Sequence, residues 1–312
     1  MKEMLIDLII CPACLPREED LTLHSFEQEG GEILDGELRC GICKARYPIK
    51  NGIAFLSPRR SEYRPQSLVY ENPFTISSYL WSHYGDIFDD PEASCAYAKW
   101  AALLEKSAGI SFDTGCAAGR MTFEMGCKSD FAIGIDNSTG LIQAARNLMT
   151  EGRLEFSQPI EGRLMARRTI ECLKTWKPEN VEFIVGDALC APFPSNSFSS
   201  IASLNIIDKI DSPISHLKEI DRTAKKSGAH FLFSDPFSWS TEVAKEEDWL
   251  GGKVSDPYSG MSFENIISFL DGEYKLFDPP WKIQEKGSVW WKIRKHQNLF
   301  ELIRSWFIKA YR

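Results

Sequence analysis

The sequence lacks a long apolar segment and an excess of basic residues. The longest apolar run near the start, residues 5–10, is interrupted by Asp7 and is too short for a signal or transmembrane helix. Lysine and arginine number 36 against 44 aspartate and glutamate residues, a net charge of −8, so the overall field repels a polyanion. We therefore expect a cytoplasmic protein without a membrane or nucleic-acid partner, and leave its oligomeric state open.

The cysteines do not form a secretory pattern. There are nine, an odd number, and no signal segment precedes them, so metal or core roles are favoured over disulfides. Four occur as two C-x2-C pairs, a spacing typical of four thiolates around one tetrahedral ion. We predict that Cys11, Cys14, Cys40 and Cys43 bind a structural zinc ion. The alternative is four thiols without metal.

Length and composition indicate a globular chain of two domains. The 312 residues exceed what one hydrophobic core usually serves, and 43% hydrophobic with 26% charged residues is ordinary globular composition. We predict a zinc-ribbon domain over residues 1–57, a linker over 58–69 and a larger domain over 70–312. Pro58 and Pro65 in a polar stretch indicate the linker.

The first domain resembles a known accessory family. Cys11-Pro12, the segment from Gly36 to Cys40 and the segment from Tyr47 to Ile53 are similar to the small zinc-ribbon protein that activates several tRNA and protein methyltransferases. This resemblance implies a module without chemistry of its own, fused here as a stabilising or substrate-orienting lobe.

The larger domain shows apolar, β-rich runs that alternate with helical patterns. We predict strands over residues 110–113, 131–136, 181–185, 199–204 and 230–234, with helices after the first, second and fourth. This alternation is typical of an α/β fold with a doubly wound, mostly parallel sheet. Cofactors of such sheets bind at the carboxyl ends of the central strands.

The turn after the first of these strands carries the strongest local signal. It reads Asp113-Thr-Gly-Cys-Ala-Ala-Gly-Arg120, and Gly115 and Gly119 let the backbone approach a ligand closely. A dinucleotide fingerprint needs glycine where Asp113 stands, which disfavours a nicotinamide oxidoreductase. A carboxylate there suits a cationic amino group, as in S-adenosylmethionine. Asp136 ends the next strand, where it can accept hydrogen bonds from ribose hydroxyls.

These segments resemble class I methyltransferases, whose sheet is seven-stranded and Rossmann-like. The resemblance assigns Asp187, at the end of the third strand, to the adenine amino group. For each acid alone, a solvated or helix-capping carboxylate is the alternative. The expected cofactor-binding residues are Asp113, Gly115, Cys116, Ala117, Gly119, Arg120, Asp136, Asn137, Ser138, Asp187, Ala188 and Asn205.

Four further segments resemble the methyltransferase portion of ovothiol biosynthesis. They are Ile76 to Gly85, Leu204 to Lys209, Pro236 to Trp239 and Trp249 to Gly252. The resemblance implies methylation of an imidazole ring nitrogen in a histidine derivative that bears a thiol or selenol. Asp235 stands where that family usually has serine, so the amino-acid acceptor can differ.

Positioning residues should dominate such a site, because an imidazole nitrogen or thiolate is already nucleophilic near neutral pH. We expect Asn205, Asp235, His83, Tyr84 and Trp239 to position the acceptor. Packing or capping roles are the alternatives for these side chains.

Two other functions remain open: methylation of tRNA, rRNA or protein oriented by the ribbon, and a non-catalytic cofactor-binding scaffold. A basic run, Arg163, Arg167 and Arg168, interrupts the larger domain and is interpreted as a solvated helix face.

Overall fold

The N-terminal region is a small antiparallel sheet. The computed structural model describes residues 1–58 and 67–312. Short 3₁₀ turns at Glu3–Leu8 and Pro12–Cys14 precede four strands in the order β1-β2-β3-β4. The hairpin turn Asn51-Gly52 joins β3 to β4 with positive φ at both residues, the conformation that Asn-Gly favours. The strands are β1 (Leu21–Glu29), β2 (Glu32–Cys40), β3 (Arg46–Lys50) and β4 (Ile53–Ala54).

The larger region alternates strands and helices, as the hydrophobic pattern predicts. Its helices are α1 (Ser67–Glu71), α2 (Pro73–Tyr84), α3 (Ala96–Leu103), α4 (Arg120–Gly126), α5 (Thr139–Glu151), α6 (Pro213–Thr223) and α7 (Ser262–Leu270). Its strands are β5 (Ile110–Thr114), β6 (Phe131–Asp136), β7 (Arg153–Glu161), β8 (Leu164–Glu171), β9 (Val181–Val185), β10 (Phe198–Leu204), β11 (His230–Asp235), β12 (Lys282–His296) and β13 (Leu299–Tyr311).

Seven of these strands form the central sheet in the order β12-β13-β11-β10-β5-β6-β9. Strands β9, β6, β5, β10 and β11 are parallel, and β13 runs antiparallel to both its neighbours. β9 and β10 are buried along their whole length, and β9 packs against α4, α5 and the ribbon strand β4. The predicted doubly wound, seven-stranded fold is confirmed. The strand order reverses between β5 and β10, which places a ligand crevice at their carboxyl ends.

The basic run lies in a β-hairpin, so the helix prediction for it is wrong. β7 and β8 form a separate two-stranded antiparallel sheet between α5 and β9. Arg163 belongs to the turn and Arg167 and Arg168 to β8, with Arg168 donating to Gln158 across the hairpin at 2.8 Å. Gly162 has φ +57°, a conformation that glycine adopts readily, and it lies in the tight turn that joins β7 to β8.

The N-terminal sheet docks on the edge of the central sheet. Phe55 forms a parallel bridge with Val185 at the end of β9, and the Leu56 N–H donates to the Val185 carbonyl at 2.7 Å. The Ile10 N–H donates to the Pro192 carbonyl at 2.9 Å. The segment that follows β4 thus bonds to the edge strand β9, while the four ribbon strands form a sheet of their own.

The predicted linker covers residues 58–69, and its residues 59–66 lie outside the described residues. Within the described part of the chain, every helix is too short or too polar to cross a membrane.

Candidate active site

A cavity of about 540 Å³ opens at the carboxyl ends of the central strands. It sits at the reversal of strand order, where sheets of this type bind cofactors. Its volume falls within the range of about 300–1,000 Å³ that small-molecule sites occupy. The lining combines strand-end loops with helices α1 to α3. Its members are Ser57, Val69, Tyr70, Tyr79, His83, Tyr97, Gly115, Ala117, Ile135, Asp136, Asn137, Leu141, Gly186, Asp187, Ala188, Leu189, Leu204, Asn205, Ile206, Lys209, Ile210, Glu242, Val243 and Trp291.

The turn after β5 forms the floor of the cavity. Gly115 has φ +74°, and a Cβ there would lie 2.5 Å from Cδ1 of Ile206. Ala117 holds φ +46°, an uncommon conformation for a residue with a side chain. Gly119 has φ +85° and packs so closely on Phe183 that a Cβ would lie 2.6 Å from its ring. The turn therefore depends on glycine for both its conformation and its packing.

Asp136 ends β6 and faces the cavity. Its carboxylate accepts hydrogen bonds from the Ala117 N–H at 3.0 Å and the Ser138 N–H at 2.9 Å. These bonds join the end of β6 to the glycine turn and to the start of α5. Burial raises the pKa of Asp136 to about 6. A carboxylate has about four acceptor sites, so two bonds leave capacity for ligand hydroxyls.

Asp187 and Asn205 follow β9 and β10 into the same cavity. Asp187 accepts from the Leu189 N–H at 2.9 Å. Asn205 adopts φ +56° and donates its N–H to the Ser234 carbonyl at 2.6 Å. Its buried Oδ1 has no hydrogen-bond partner within residues 1–58 and 67–312. A buried acceptor of this kind calls for a donor from a ligand.

Asp113 lies behind the turn and is absent from the described lining of the cavity. It is buried, and its carboxylate accepts from the Thr122 hydroxyl at 2.7 Å. Burial raises its pKa to about 7, and the charge of Asp136 adds to this shift. A cationic ligand near both carboxylates would favour their ionised forms.

Four other residues of the expected cofactor set are absent from the described lining of the cavity, and one of them is Gly119 of the turn. Arg120 is buried and donates to Asp86 at 2.9 Å, to Glu124 at 3.0 Å and to the His83 carbonyl at 3.0 Å. Cys116 is buried. Ser138 caps α5 by accepting from the Leu141 N–H.

His83 is the expected acceptor-positioning residue from α2 that reaches the cavity. Its Nε2 pairs with the Tyr97 hydroxyl at 2.6 Å, and the two rings lie 4.1 Å apart. Its buried Nδ1 has no partner among the described residues. Burial, with the charge of Arg120, lowers the pKa of His83 to about 3, so the imidazole is neutral.

Tyr84, Asp235 and Trp239 do not appear in the described lining. The Tyr84 hydroxyl donates to the Ala118 carbonyl at 2.6 Å, and the Trp239 indole donates to Ser262 at 2.8 Å. Asp235 accepts from the Phe237 and Ile207 N–H groups at 2.7 and 3.1 Å. These residues hold the loops that carry the lining.

Sequence reasoning missed several aromatic members of the lining. Tyr79 stands four residues before His83, so the helical repeat places both on one face of α2 and could have revealed it. Tyr97 comes from α3 and Trp291 from β12, and no local spacing links either one to the cofactor turn. Tyr70, from α1, packs edge to face on Tyr79 with ring centres 5.8 Å apart.

The two cysteine pairs meet in the N-terminal region. Their four sulfur atoms all lie within 4.8 Å of one another, with Cys11 and Cys43 at 3.6 Å and Cys14 and Cys40 at 3.7 Å. The buried Tyr47 hydroxyl lies 3.3 Å from the Cys11 sulfur. Four ligands at the corners of a tetrahedron with Zn–S bonds of about 2.3 Å stand about 3.8 Å apart, so the cluster fits that geometry.

Known families match both regions of the chain. Residues 112–232 match the family model described as a methyltransferase domain, and residues 2–52 match the model described as a Trm112p-like protein. No curated protein sequence matches the chain significantly.

Solved structures with a similar fold include three prokaryotic proteins. A complex of the Haloferax volcanii Trm112 methyltransferase activator with a methyltransferase has 15% identity and a TM-score of 0.41, covering 76% of this chain and 96% of that one. A SAM-dependent methyltransferase from Methanosarcina mazei has 16% identity and a TM-score of 0.42, covering 68% and 95%. One from Aquifex aeolicus has 16% identity and a TM-score of 0.39, covering 77% and 97%.

The strand order and the two family matches agree with each other. The methyltransferase match covers the strands from β5 to β11 and the turns that line the cavity. The Trm112-like match covers the region that brings the four cysteines together. The chain therefore carries a methyltransferase domain of the class I fold, matched over residues 112–232, and an N-terminal Trm112-like region, matched over residues 2–52.

Proposed function

We propose that the protein methylates a small heteroaromatic acceptor, an imidazole ring nitrogen of a histidine derivative that bears a thiol or selenol. The observation that carries the proposal is a single cavity lined both by Asp136, Asp187 and Asn205 and by an aromatic wall. This cavity suits a cofactor beside an amino-acid-sized acceptor, and the net charge of −8 disfavours a nucleic-acid substrate.

The residues present fit S-adenosylmethionine. In this proposal Asp136 accepts from the ribose hydroxyls, and Asp187 accepts from the adenine amino group. The Asn205 Oδ1, which is buried without a described partner, accepts from the methionine ammonium group. Leu141 and Leu189 supply apolar contacts for the base.

The acceptor would lie against the aromatic wall formed by Tyr70, Tyr79, Tyr97 and Trp291. A planar imidazole ring gains both burial and favourable ring geometry in such surroundings. Lys209 lines the same cavity with its ammonium group 3.1 Å from Asp208, and it can pair with the carboxylate of an amino acid.

The cofactor supplies an electrophilic methyl group, and the chain's task is alignment. The lone pair of the acceptor nitrogen forms the new N–C bond while the C–S bond breaks, and the sulfur keeps the bonding electrons. The ring N–H proton is then released to solvent. The aromatic wall and the helices α1 and α2 hold the two reactants together and limit the access of water.

Labelled S-adenosylmethionine tests the proposal directly. We expect label transfer to mercaptohistidine or its selenium analogue, at a rate at least tenfold above histidine and bulk RNA. Product analysis by mass spectrometry should show one methyl group on the ring. Label that appears in RNA or protein alone would contradict the proposal.

We further propose that the four cysteines bind one structural zinc ion, which stabilises the ribbon against the catalytic domain. The sulfur separations match a tetrahedral site, and the ribbon buries too little surface to fold alone. The Tyr47 hydroxyl would donate a hydrogen bond to the metal-bound Cys11 thiolate and so hold this ligand in place.

Replacing a ligand should remove this metal. We expect one zinc ion per purified chain by elemental analysis and substantially less than one in Cys14→Ser. Loss of the ion should also lower the melting temperature, because metal binding contributes to folding. Cys95→Ser is the matched control, since Cys95 is exposed and outside the cluster. A fully loaded Cys14→Ser protein would show that the metal is held elsewhere.

A further inference from the structure

Two side chains of the cavity wall carry buried nitrogen atoms without a partner in the described chain. They are Nε1 of Trp291, on β12, and Nδ1 of His83, on α2. The two residues are 4% and 1% exposed, and both line the cavity of about 540 Å³. An indole N–H can only donate, so Trp291 needs an acceptor atom. A buried donor without one costs free energy, which a bound ligand can recover.

The contact with Tyr97 favours one tautomer of His83. The Tyr97 hydroxyl lies 2.6 Å from Nε2 and makes no other hydrogen bond within residues 1–58 and 67–312. This single bond satisfies the hydroxyl hydrogen only if Tyr97 donates to Nε2. The neutral imidazole then carries its proton on Nδ1 and offers it to the cavity. His83 and Trp291 therefore present two N–H donors.

The surroundings of these donors favour a soft, electron-rich acceptor atom. The His83 ring packs on Tyr79, Tyr84 and Tyr97, at 6.1, 6.1 and 4.1 Å between ring centres. The charge of Arg120 adds a positive potential at His83, as its effect on the imidazole pKa shows. A thione or thiolate sulfur is large and polarisable, so it loses less hydration than a carboxylate when it enters an aromatic pocket.

We propose that the indole N–H of Trp291 and the Nδ1–H of His83 bind the exocyclic sulfur or selenium atom of the acceptor ring. These two donors select a ring that bears a thione or thiolate over the unsubstituted ring. The inference rests on the proposed function, and it adds the residues that set the acceptor preference. Trp291 and His83 act here as positioning residues.

Binding measurements separate this inference from catalysis. We would saturate the full chain with S-adenosylhomocysteine and titrate it with mercaptohistidine and with histidine by calorimetry. Wild-type protein should bind mercaptohistidine at least tenfold more tightly than histidine. Trp291→Phe keeps an aromatic ring, although a smaller one, and removes the indole N–H, and it should lower this ratio about tenfold. Affinity for S-adenosylhomocysteine should be unchanged in the variant.

Trp100→Phe is the matched control. Trp100 is fully buried and packs against Tyr97 and Trp291, and its Nε1 also lacks a described partner, but it does not line the cavity. We expect its binding ratio to equal that of wild type. Tyr97→Phe removes the hydroxyl that bonds to Nε2 of His83, so the imidazole proton is no longer held on Nδ1 and the binding ratio should fall. This variant serves as a second test if Trp291→Phe fails to fold.

The outcomes distinguish the two proposals. A wild-type protein that does not discriminate between the two compounds, or a folded Trp291→Phe protein with an unchanged ratio, overturns the inference. Trp291-dependent binding without label transfer to mercaptohistidine supports the inference and overturns the proposed reaction. Label transfer to mercaptohistidine, combined with an unchanged binding ratio in Trp291→Phe, supports the proposed reaction and overturns the inference.

Discussion

Asp136→Asn should weaken S-adenosylmethionine binding by about 10- to 150-fold. The substitution keeps the shape of the side chain but removes the charge that strengthens its bonds to the ribose. A hydrogen bond to a charged group contributes about 1.5–3 kcal/mol, and each 1.4 kcal/mol changes a dissociation constant tenfold. The loss should exceed that of a ligand contact alone, because Asp136 also accepts from Ala117 and Ser138. Calorimetric titration measures the change.

Asp130→Asn provides the control at the other end of the same strand. Asp130 precedes β6 and accepts from the Gly109 N–H at 2.7 Å, so it also combines a carboxylate with a backbone hydrogen bond. It lies at the amino end of the strand, away from the cavity. The affinity of the Asp130→Asn protein for S-adenosylmethionine should stay within twofold of wild type. Equal effects at the two positions would mean that the ribose is held elsewhere.

Arg146→Met should lower the free energy of unfolding by about 3–5 kcal/mol, the usual cost of removing one partner from a buried ion pair. Arg146 is 3% exposed and contacts both Glu182, which is fully buried, and Glu32 of the ribbon. Without the guanidinium, the Glu182 carboxylate keeps the backbone N–H donors of Lys2 and Phe183 and the positive charges of Lys2 and the N-terminal amine. Urea unfolding measures the loss.

A surface pair supplies the matched comparison. Arg153 and Glu155 form the same type of ion pair at 60% and 45% exposure, so Arg153→Met should cost at most about 1 kcal/mol. Adding Glu182→Gln to Arg146→Met should recover part of the stability, because it removes the uncompensated charge. A loss below 1 kcal/mol in Arg146→Met would contradict a structural role for this pair.

Arg146 also explains why the ribbon has glycine at position 52, in the turn between β3 and β4. A Cβ on Gly52 would lie 2.5 Å from Nη2 of Arg146, so glycine is required both for the φ of +74° and for the close approach of the guanidinium. The Asn51-Gly52 turn thus serves the hairpin and the interface between the two regions. The segment that follows this hairpin then bonds to Val185 of β9 through Phe55 and Leu56.

Local pattern was sufficient to predict the five parallel strands of the central sheet, the glycine turn and the cysteine cluster, but not the antiparallel strands β12 and β13. Buried parallel strands are continuous apolar runs, and the residues that follow them lie at one edge of the sheet by construction. For this reason Asp136, Asp187 and Asn205 could be assigned to a common site before their positions were known. The basic hairpin was misread because a run of arginines does not by itself distinguish a strand from a helix.

By itself, the sequence determined the fold class, the cofactor edge of the sheet and the four possible metal ligands, since each depends on spacing within one segment. Only the tertiary structure decided which side chains reach the cavity. It turned Asp113 toward Thr122, committed Arg120 to Asp86 and brought Trp291 of β12 beside α2 and α3. The physical reason is that packing between distant elements fixes the orientation of each side chain, and no local spacing records that packing.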